Sequence, residues 1–206
     1  MNFMQLRERQ PKFPVTVKTG EGVVELIWNK IEYADGYRVF ASPVGKNHFV
    51  GVINVKGTTA VMKKRANGVP MQYKVKAFRI ADGPDNFFGE SEIVIACPLE
   101  TPRRLTAIVG SDGICTLSWR YNSQCDGFKI YADSNESGKY SFVCYSGKNS
   151  CRLDSFTKSG KVSFVVRSFI MTGHMEKLGV SSAPAEAVLP KSKGAKAVQF
   201  DHSMIR

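Results

Sequence analysis

The second half of the chain repeats the first. Matching residues are separated by a constant offset of 91 residues, the distance from Trp28 to Trp119. A period of about 90 residues is too long for one unit of a solenoid but long enough for a small domain with its own core. The sequence therefore predicts two similar domains in tandem. The identical pairs are Pro11/Pro102, Gly22/Gly113, Leu26/Leu117, Trp28/Trp119, Asp35/Asp126, Gly36/Gly127, Ala41/Ala132, Val52/Val143, Val75/Val166 and Phe78/Phe169.

Within each repeat, inward-facing apolar residues recur over several short stretches. Val24, Leu26 and Trp28 fall at every second position, which is the period of a β-strand with one buried face. Residues 71–78 alternate in the same way, and turn-forming pairs such as Asp35-Gly36 separate the stretches. Several short strands with frequent turn signals and no helical period predict an antiparallel β-sandwich.

Three short motifs recur in both repeats. They are Leu26-Ile27-Trp28, Gly36-Tyr37-Arg38-Val39 and Tyr73-Lys74-Val75-Lys76-Ala77 in the first repeat, and Leu117-Ser118-Trp119, Gly127-Phe128-Lys129-Ile130 and Phe164-Val165-Val166-Arg167-Ser168 in the second. Together they resemble the motifs of the fibronectin type III domain, with Phe164 in place of the family's tyrosine. The resemblance covers residues 12–97 and 103–189. It implies an all-β fold of two fibronectin type III-like antiparallel β-sandwiches in tandem, which bind through end loops or strand edges.

The repeats divide the chain into five segments. We expect an N-terminal extension at 1–11, a first sandwich domain at 12–98, a short linker at 99–102, a second sandwich domain at 103–190 and a basic tail at 191–206. Prolines at both ends of the linker should stiffen it, because proline fixes its own backbone angle φ.

The chain is basic, with a formal net charge of +11. Such a charge suits a nucleic-acid partner when it is concentrated on one face. Lys and Arg are instead spread evenly over both halves, with short clusters such as Lys63-Lys64-Arg65. This pattern favours solvated loops and ends over a nucleic-acid site. The apolar runs are too short to cross a bilayer, so we expect no membrane insertion.

Five cysteines are an odd number, so at least one thiol cannot pair within the chain. A leftover thiol argues mildly for a reducing compartment. Cys115 takes the place of Val24 in the repeat, which predicts a buried, unreactive side chain. Cys144 and Cys151 flank a turn-like segment, and we expect no disulfide other than one between them. The cysteines and the three histidines show no zinc spacing, so neither a metal nor a cofactor is predicted.

The sequence lacks the common catalytic motifs. It contains no Gly-x-Ser-x-Gly, no Walker loop, no His-Glu-x-x-His and no dinucleotide fingerprint. We therefore predict that the protein is not an enzyme and acts by binding.

The candidate binding residues are large apolar side chains in a loop and in the tail. Phe87 and Phe88 are adjacent, and neighbouring side chains on an extended chain point to opposite sides, so both cannot enter the core. One could anchor a protein partner from an exposed loop. Equally, one could begin the seventh strand and close the end of the sandwich. The predicted partner-binding residues are Phe87, Phe88, Phe200, Met204 and Ile205.

The expected function is that of a structural or interaction protein. The first ten residues carry charges where a secretory signal needs an apolar stretch. With the unpaired cysteines and the apolar ends, this favours a virion, another particle or the cytoplasm over secretion. We expect an adhesive or decoration-like component of a virion or other large assembly, with that assembly's proteins as partners and self-association left open. The alternative is a cell-surface or secreted adhesin or receptor-like module that binds protein or carbohydrate. A third reading is an accessory module of an enzyme.

Overall fold

The chain folds into two units built from β-strands. The structure, a computed structural model, describes residues 12–83, 86–154 and 159–190. The first unit extends to Glu100, and the second begins at Thr101. The limits of the five predicted segments stay predictions.

The first unit consists of two antiparallel sheets. Its described strands are β1 (Val15–Gly20), β2 (Val23–Trp28), β3 (Gly36–Pro43), β4 (Val50–Val55), β5 (Thr59–Met62), β6 (Met71–Phe78), β7 (Phe87–Glu90) and β8 (Val94–Ala96). The smaller sheet has the order β1-β2-β5, and the larger has the order β4-β3-β6-β7, with β8 also pairing with β6. A 3-10 turn at Ile80–Asp82 lies between β6 and β7.

The core of the first unit lies between these sheets. Val24, Leu26 and Trp28 are buried, as the alternation predicts, while Glu25 between them is less buried. Trp28 meets Tyr37 of the facing sheet edge-to-face, with ring centroids 5.2 Å apart. Apolar side chains from the inner faces of two sheets fill a sandwich in this way because each strand presents every second residue to the core.

The second unit repeats the arrangement. Its described strands are β9 (Arg103–Val109), β10 (Cys115–Arg120), β11 (Gly127–Asp133), β12 (Ser141–Ser146), β13 (Ser150–Leu153), β14 (Gly160–Thr172), β15 (Met175–Leu178) and β16 (Ala185–Leu189). The smaller sheet has the order β9-β10-β13, and the larger has the order β12-β11-β14-β15, with β16 also pairing with β14.

The core of the second unit is centred on the repeated tryptophan. Trp119 meets Phe128 edge-to-face at 5.1 Å, and Tyr121 meets the same ring at 5.1 Å. Cys115 is fully buried on β10, so its predicted burial is confirmed. Each unit is thus an antiparallel sandwich, as the fibronectin type III resemblance implies, and the predicted fold class is confirmed.

The last strand of each unit is broken at a buried serine. In the first unit β7 and β8 both pair with β6, and Ser91 lies between them. The backbone N–H of Ser91 donates to the carbonyl of Val75 at 2.8 Å, and its Oγ accepts from the N–H of Val75 at 2.8 Å. Ser182 makes the same two bonds with Val166, at 2.8 Å and 3.0 Å. At each break a side-chain hydroxyl takes the place of a strand carbonyl.

Candidate interaction surface

The outward face of the larger sheet in the second unit carries four aromatic side chains in contact. Ring centroids are 6.0 Å apart for Tyr131 and Phe142, 5.0 Å for Phe142 and Tyr145, and 5.5 Å for Tyr145 and Phe169. All three contacts are edge-to-face, a favourable geometry for aromatic pairs. We call Tyr131, Phe142, Tyr145 and Phe169 the aromatic row.

The strand register explains why these rings meet. Tyr131 on β11 is directly opposite Phe142 on β12, and Lys129 is opposite Tyr145. Residues that share a position across two strands point to the same face of the sheet. Ile130, between Lys129 and Tyr131, points into the core instead. Alternation within β11 therefore places a lysine and an aromatic ring on the outer face.

Two members of the aromatic row are widely exposed. Phe142 has 49% of its surface accessible to solvent and Tyr145 has 45%. Single exposed apolar residues are ordinary on a protein surface, whereas a contiguous group is typical of a binding site. Among the described strands β12 is the outermost of its sheet, so Phe142 and Tyr145 lie at a sheet edge, whereas Phe169 on β14 is buried.

A lysine lies over the aromatic row. The Nζ atom of Lys129 is 5.0 Å from the ring centre of Tyr145 and 5.5 Å from that of Phe142. Both distances fall within the range of cation–π attraction. The surface therefore combines flat apolar rings with a positive charge, and it can stack on planar groups of a partner while attracting its carboxylates.

The turn that joins β11 and β12 is held by a buried carboxylate. Asp133 accepts hydrogen bonds from the backbone N–H groups of Asn135 at 3.0 Å and Gly138 at 2.6 Å. These bonds, that of Asn135 first, lower the pKa of Asp133 below its ordinary value despite burial. Gly138 has a positive φ of 73°, which favours glycine. The turn thus fixes where β12 begins, and with it the position of Phe142.

The first unit has a related but more enclosed outer face. Phe40 and Phe87 meet edge-to-face with centroids 5.5 Å apart. Arg38 and Lys76 each lie 5.5 Å from the ring centre of Phe87. Both rings are only partly exposed, because the surrounding cations cover them. This face has less free aromatic surface than the aromatic row.

An acidic residue also neutralises part of the charge on that face. Glu90 contacts Lys76 at 3.0 Å and Lys74 at 3.3 Å. Burial raises the pKa of Glu90, but the hydrogen bonds and charges of Lys76 and Lys74 together hold it below its usual value. Lys74 and Lys76 are therefore engaged within their own sheet.

The difference between the two faces can be traced to β4 and β12. At the repeat offset, Gly51 and Asn54 occupy the places of Phe142 and Tyr145. Asn54 uses its Oδ1 to accept a hydrogen bond from Nε of Arg38 at 2.8 Å. In the first unit this edge strand therefore makes a contact within its own sheet, whereas in the second unit it exposes two aromatic rings to solvent.

The predicted residues Phe87 and Phe88 begin β7 and point to opposite sides. Phe87 lies on the outer face against Phe40, while Phe88 packs against the core of the first unit. Arg79 also lies 5.0 Å from the ring centre of Phe88. The alternative in which one phenylalanine begins the seventh strand and closes the sandwich matches the position of Phe88. Neither ring stands free on a loop tip.

The other predicted binding residues cannot be placed. Phe200, Met204 and Ile205 lie outside the described residues. The aromatic row was missed at the level of sequence, although a signal was present. Comparing the repeats at outward positions of β12 reveals two aromatic residues, Phe142 and Tyr145, where the first repeat has none.

The described residues show neither a metal-binding cluster nor a helix that could span a membrane. They contain no group of three or more His, Cys, Asp or Glu side chains placed to hold a metal ion. None of their helical segments has the length and apolar character that crossing a bilayer requires.

Comparison with known proteins gives structural neighbours and no sequence relatives. No protein family profile matches the chain, and no curated protein matches it. A two-domain fibronectin type III segment of chicken tenascin is 16% identical, with a TM-score of 0.47, covering 85% of this chain and 96% of the other. The FN1–FN3 domains of chicken CNTN1 are 19% identical, with a TM-score of 0.38, covering 87% of this chain and 68% of the other. Within each unit the described strands form two antiparallel sheets, which is the sandwich fold that the resemblance to fibronectin type III domains implies.

Proposed function

We propose that the protein is a non-enzymatic interaction protein that belongs to a virion or other large assembly and contacts its partner proteins through the aromatic row. The observation that carries this proposal is the pair of exposed rings, Phe142 and Tyr145, on a sheet edge beside Lys129. Aromatic side chains are enriched at the centres of protein interfaces and contribute much of their binding free energy.

A protein partner fits this surface because it offers complementary groups. The rings provide apolar area that is exposed to solvent while the protein is alone. Burying this area against a partner is favourable by about 25 cal/mol per Å². Lys129 adds positive charge, which favours a partner with Asp or Glu beside an apolar patch. The even spread of charge in the sequence argues against nucleic acid as that partner.

The runner-up function is that of an adhesin whose row stacks on sugar rings. Exposed aromatic faces also suit carbohydrate, so the same residues serve both proposals. The two proposals differ in the ligand that binds the aromatic row: an isolated glycan in the adhesin, and a protein of the assembly in the first proposal.

The test compares two variants of the second unit, each of which replaces exposed apolar side chains with threonine. Phe142→Thr with Tyr145→Thr removes the exposed rings and keeps residues that suit a strand. Ile108→Thr removes a side chain that is 66% exposed on β9, in the smaller sheet of the same unit, and serves as the control. After circular dichroism confirms that both fold, each is mixed with particles purified from the organism that encodes the chain. Sedimentation and native mass spectrometry then measure how much is bound.

We expect the double variant to lose at least about tenfold in affinity, as for interface hot spots, and the control to bind like the parent. Equal incorporation of all three proteins would exclude the aromatic row as the contact. Binding of the parent to an isolated glycan, lost in the double variant, would instead support the adhesin.

A further inference from the structure

Two cysteines of the second unit face each other across its two sheets. Cys144 lies on β12 of the larger sheet, and Cys151 lies on β13 of the smaller sheet. Their Sγ atoms are 3.3 Å apart, and both are free thiols. The sulfur atoms of a disulfide are about 2.05 Å apart, so closing the bond requires a movement of about 1 Å.

Each sulfur is carried by a strand of fixed register. Cys144 is opposite Ile130 on β11, and Cys151 is opposite Leu117 on β10. Ile130 and Leu117 are fully buried, so both pairs of strands are anchored in the core. In the connection between the cysteines, the carbonyl of Asn149 accepts a backbone hydrogen bond from β10 at 3.0 Å. The distance between the two sulfur atoms is therefore fixed by the paired strands and by the hydrogen-bonded connection between β12 and β13.

The contact between the thiols couples their protonation. The hydrogen bond between them, together with burial, raises the pKa of Cys144, whereas the same bond lowers the pKa of Cys151. The thiolate is the nucleophile in thiol–disulfide exchange, and the 3.3 Å contact places a second thiol within reach of whichever cysteine attacks first. Burial raises the pKa of the neighbouring Cys115, and the charge of Cys151 raises it further. Cys115 is therefore kept as a thiol.

We propose that Cys144 and Cys151 form a reversible dithiol site that exchanges with small disulfides such as oxidised glutathione. The thiolate of one of the two cysteines attacks one sulfur of the small disulfide, whose S–S bond breaks and releases one thiolate. The other cysteine then loses its proton and attacks the sulfur of the first, which forms the intramolecular bond and releases the second small thiolate. The two cysteines lose two electrons, the small disulfide gains them, and the two cysteine protons end on the two small thiols.

The bond formed in this way ties the edge strand β12 to the smaller sheet. It links the two layers of the sandwich at a place where, among the described strands, β12 has only β11 beside it in its own sheet. Cross-linking restricts the unfolded chain and holds the joined elements together. In its oxidised form the site is thus a covalent cross-link between the two sheets of the second unit. An excess of reduced small thiols breaks this cross-link.

The test uses the full-length, reduced protein under native conditions. The protein is equilibrated with excess oxidised glutathione, quenched with acid, alkylated after denaturation and mapped by mass spectrometry. We expect two thiols to escape alkylation, one cross-linked peptide pair that joins Cys144 to Cys151, and no stable glutathione adduct at either. Cys144→Ser should trap glutathione on Cys151, because the second thiol is missing. Cys125→Ser, which changes another partly buried cysteine of the same unit, should cross-link within about twofold of the parent rate, because exchange depends on the reacting thiols.

Three results would each overturn the proposal. In the parent, both thiols could remain open to alkylation after equilibration, a glutathione adduct could persist at Cys151, or the cross-link could join other cysteines. The parent measurement decides the question without any variant, so a serine variant that fails to fold does not weaken the test. Treating the oxidised parent with excess reduced glutathione should restore both thiols, and failure to do so would exclude reversibility.

Discussion

Ser91→Ala and Ser182→Ala should each destabilise only the unit that contains the change. Each serine is buried at the break in the last strand of its unit, and its Oγ is the acceptor for the backbone N–H of Val75 or Val166. Alanine keeps the backbone bond from the residue's own N–H but removes that acceptor. The substitution therefore isolates one hydrogen bond at equivalent positions of two units.

The expected cost follows from the burial of the groups left behind. In the first unit the N–H of Val75 loses its acceptor, and the carbonyl of Glu92 loses the hydroxyl of Ser91 that donates to it at 2.7 Å. A single missing oxygen leaves too little room for a water molecule. An unsatisfied buried backbone group costs about 1–3 kcal/mol. We expect a loss of that size in the free energy of unfolding of the affected unit.

The two tryptophans allow each unit to be followed separately. The chain has one in each repeat, Trp28 and Trp119. Urea unfolding of Ser91→Ala is followed by the fluorescence of Trp28 in a Trp119→Phe background, and Ser182→Ala by that of Trp119 in a Trp28→Phe background. Each serine variant is the matched control for the other, since it changes the same chemistry in the other unit.

Hydrogen exchange provides a local check. Protection of the Val75 amide should fall in Ser91→Ala, while that of the Val166 amide should stay the same; Ser182→Ala should give the reverse. A loss below about 0.5 kcal/mol at both sites, with both amides still protected, would refute the reasoning, because it lies below the cost of an unsatisfied buried group.

Three further predictions concern the core, a titrating group and the predicted binding residues. Trp28→Ala and Trp119→Ala should each cost about 3–5 kcal/mol in their own unit, measured by urea unfolding followed by circular dichroism, as for other buried large aromatics; a loss under about 1 kcal/mol would contradict the packing. Because folding lowers the pKa of Asp133, its stabilising contribution is complete above the unfolded-state pKa and is lost as pH falls through the folded-state pKa. Urea titrations across acidic pH should show a smaller loss in Asp133→Asn than in the parent, because the variant keeps the titration of Glu90 and lacks that of Asp133. Phe87→Ser with Phe88→Ser, or removal of the basic tail at 191–206, should abolish particle incorporation in a sedimentation assay if these residues bind the partner; unchanged incorporation of both would exclude them.

The fold could be predicted because its strongest signals are local and repeated. Val24, Leu26 and Trp28 alternate, and the same alternation returns at Cys115, Leu117 and Trp119. Burial of one strand face follows from that period alone.

The candidate site could not be predicted in the same way. Whether an outward-facing ring is exposed depends on the side chains next to it on neighbouring strands. The sequence alone does not show which strands are neighbours or in which register they pair. Phe87 is covered by Arg38 and Lys76 and packs against Phe40, whereas Phe142 and Tyr145 stay widely exposed. Adjacency in the chain predicted Phe87 and Phe88 instead. Register, and not proximity in sequence, decides which aromatics form a surface.

Strand β12 carries both of the features proposed for the second unit. Phe142 and Tyr145 point outward into the aromatic row, while Cys144 points inward toward Cys151. At the corresponding positions the first repeat has glycine, asparagine and isoleucine, and so neither feature. An edge strand that is tied to the opposite sheet has fewer conformations to lose when its outer face binds a partner, and a smaller ordering cost gives a higher affinity. The oxidised protein should therefore bind its partner more tightly than the reduced one, and Cys144→Ser should remove that difference while leaving the aromatic row in place.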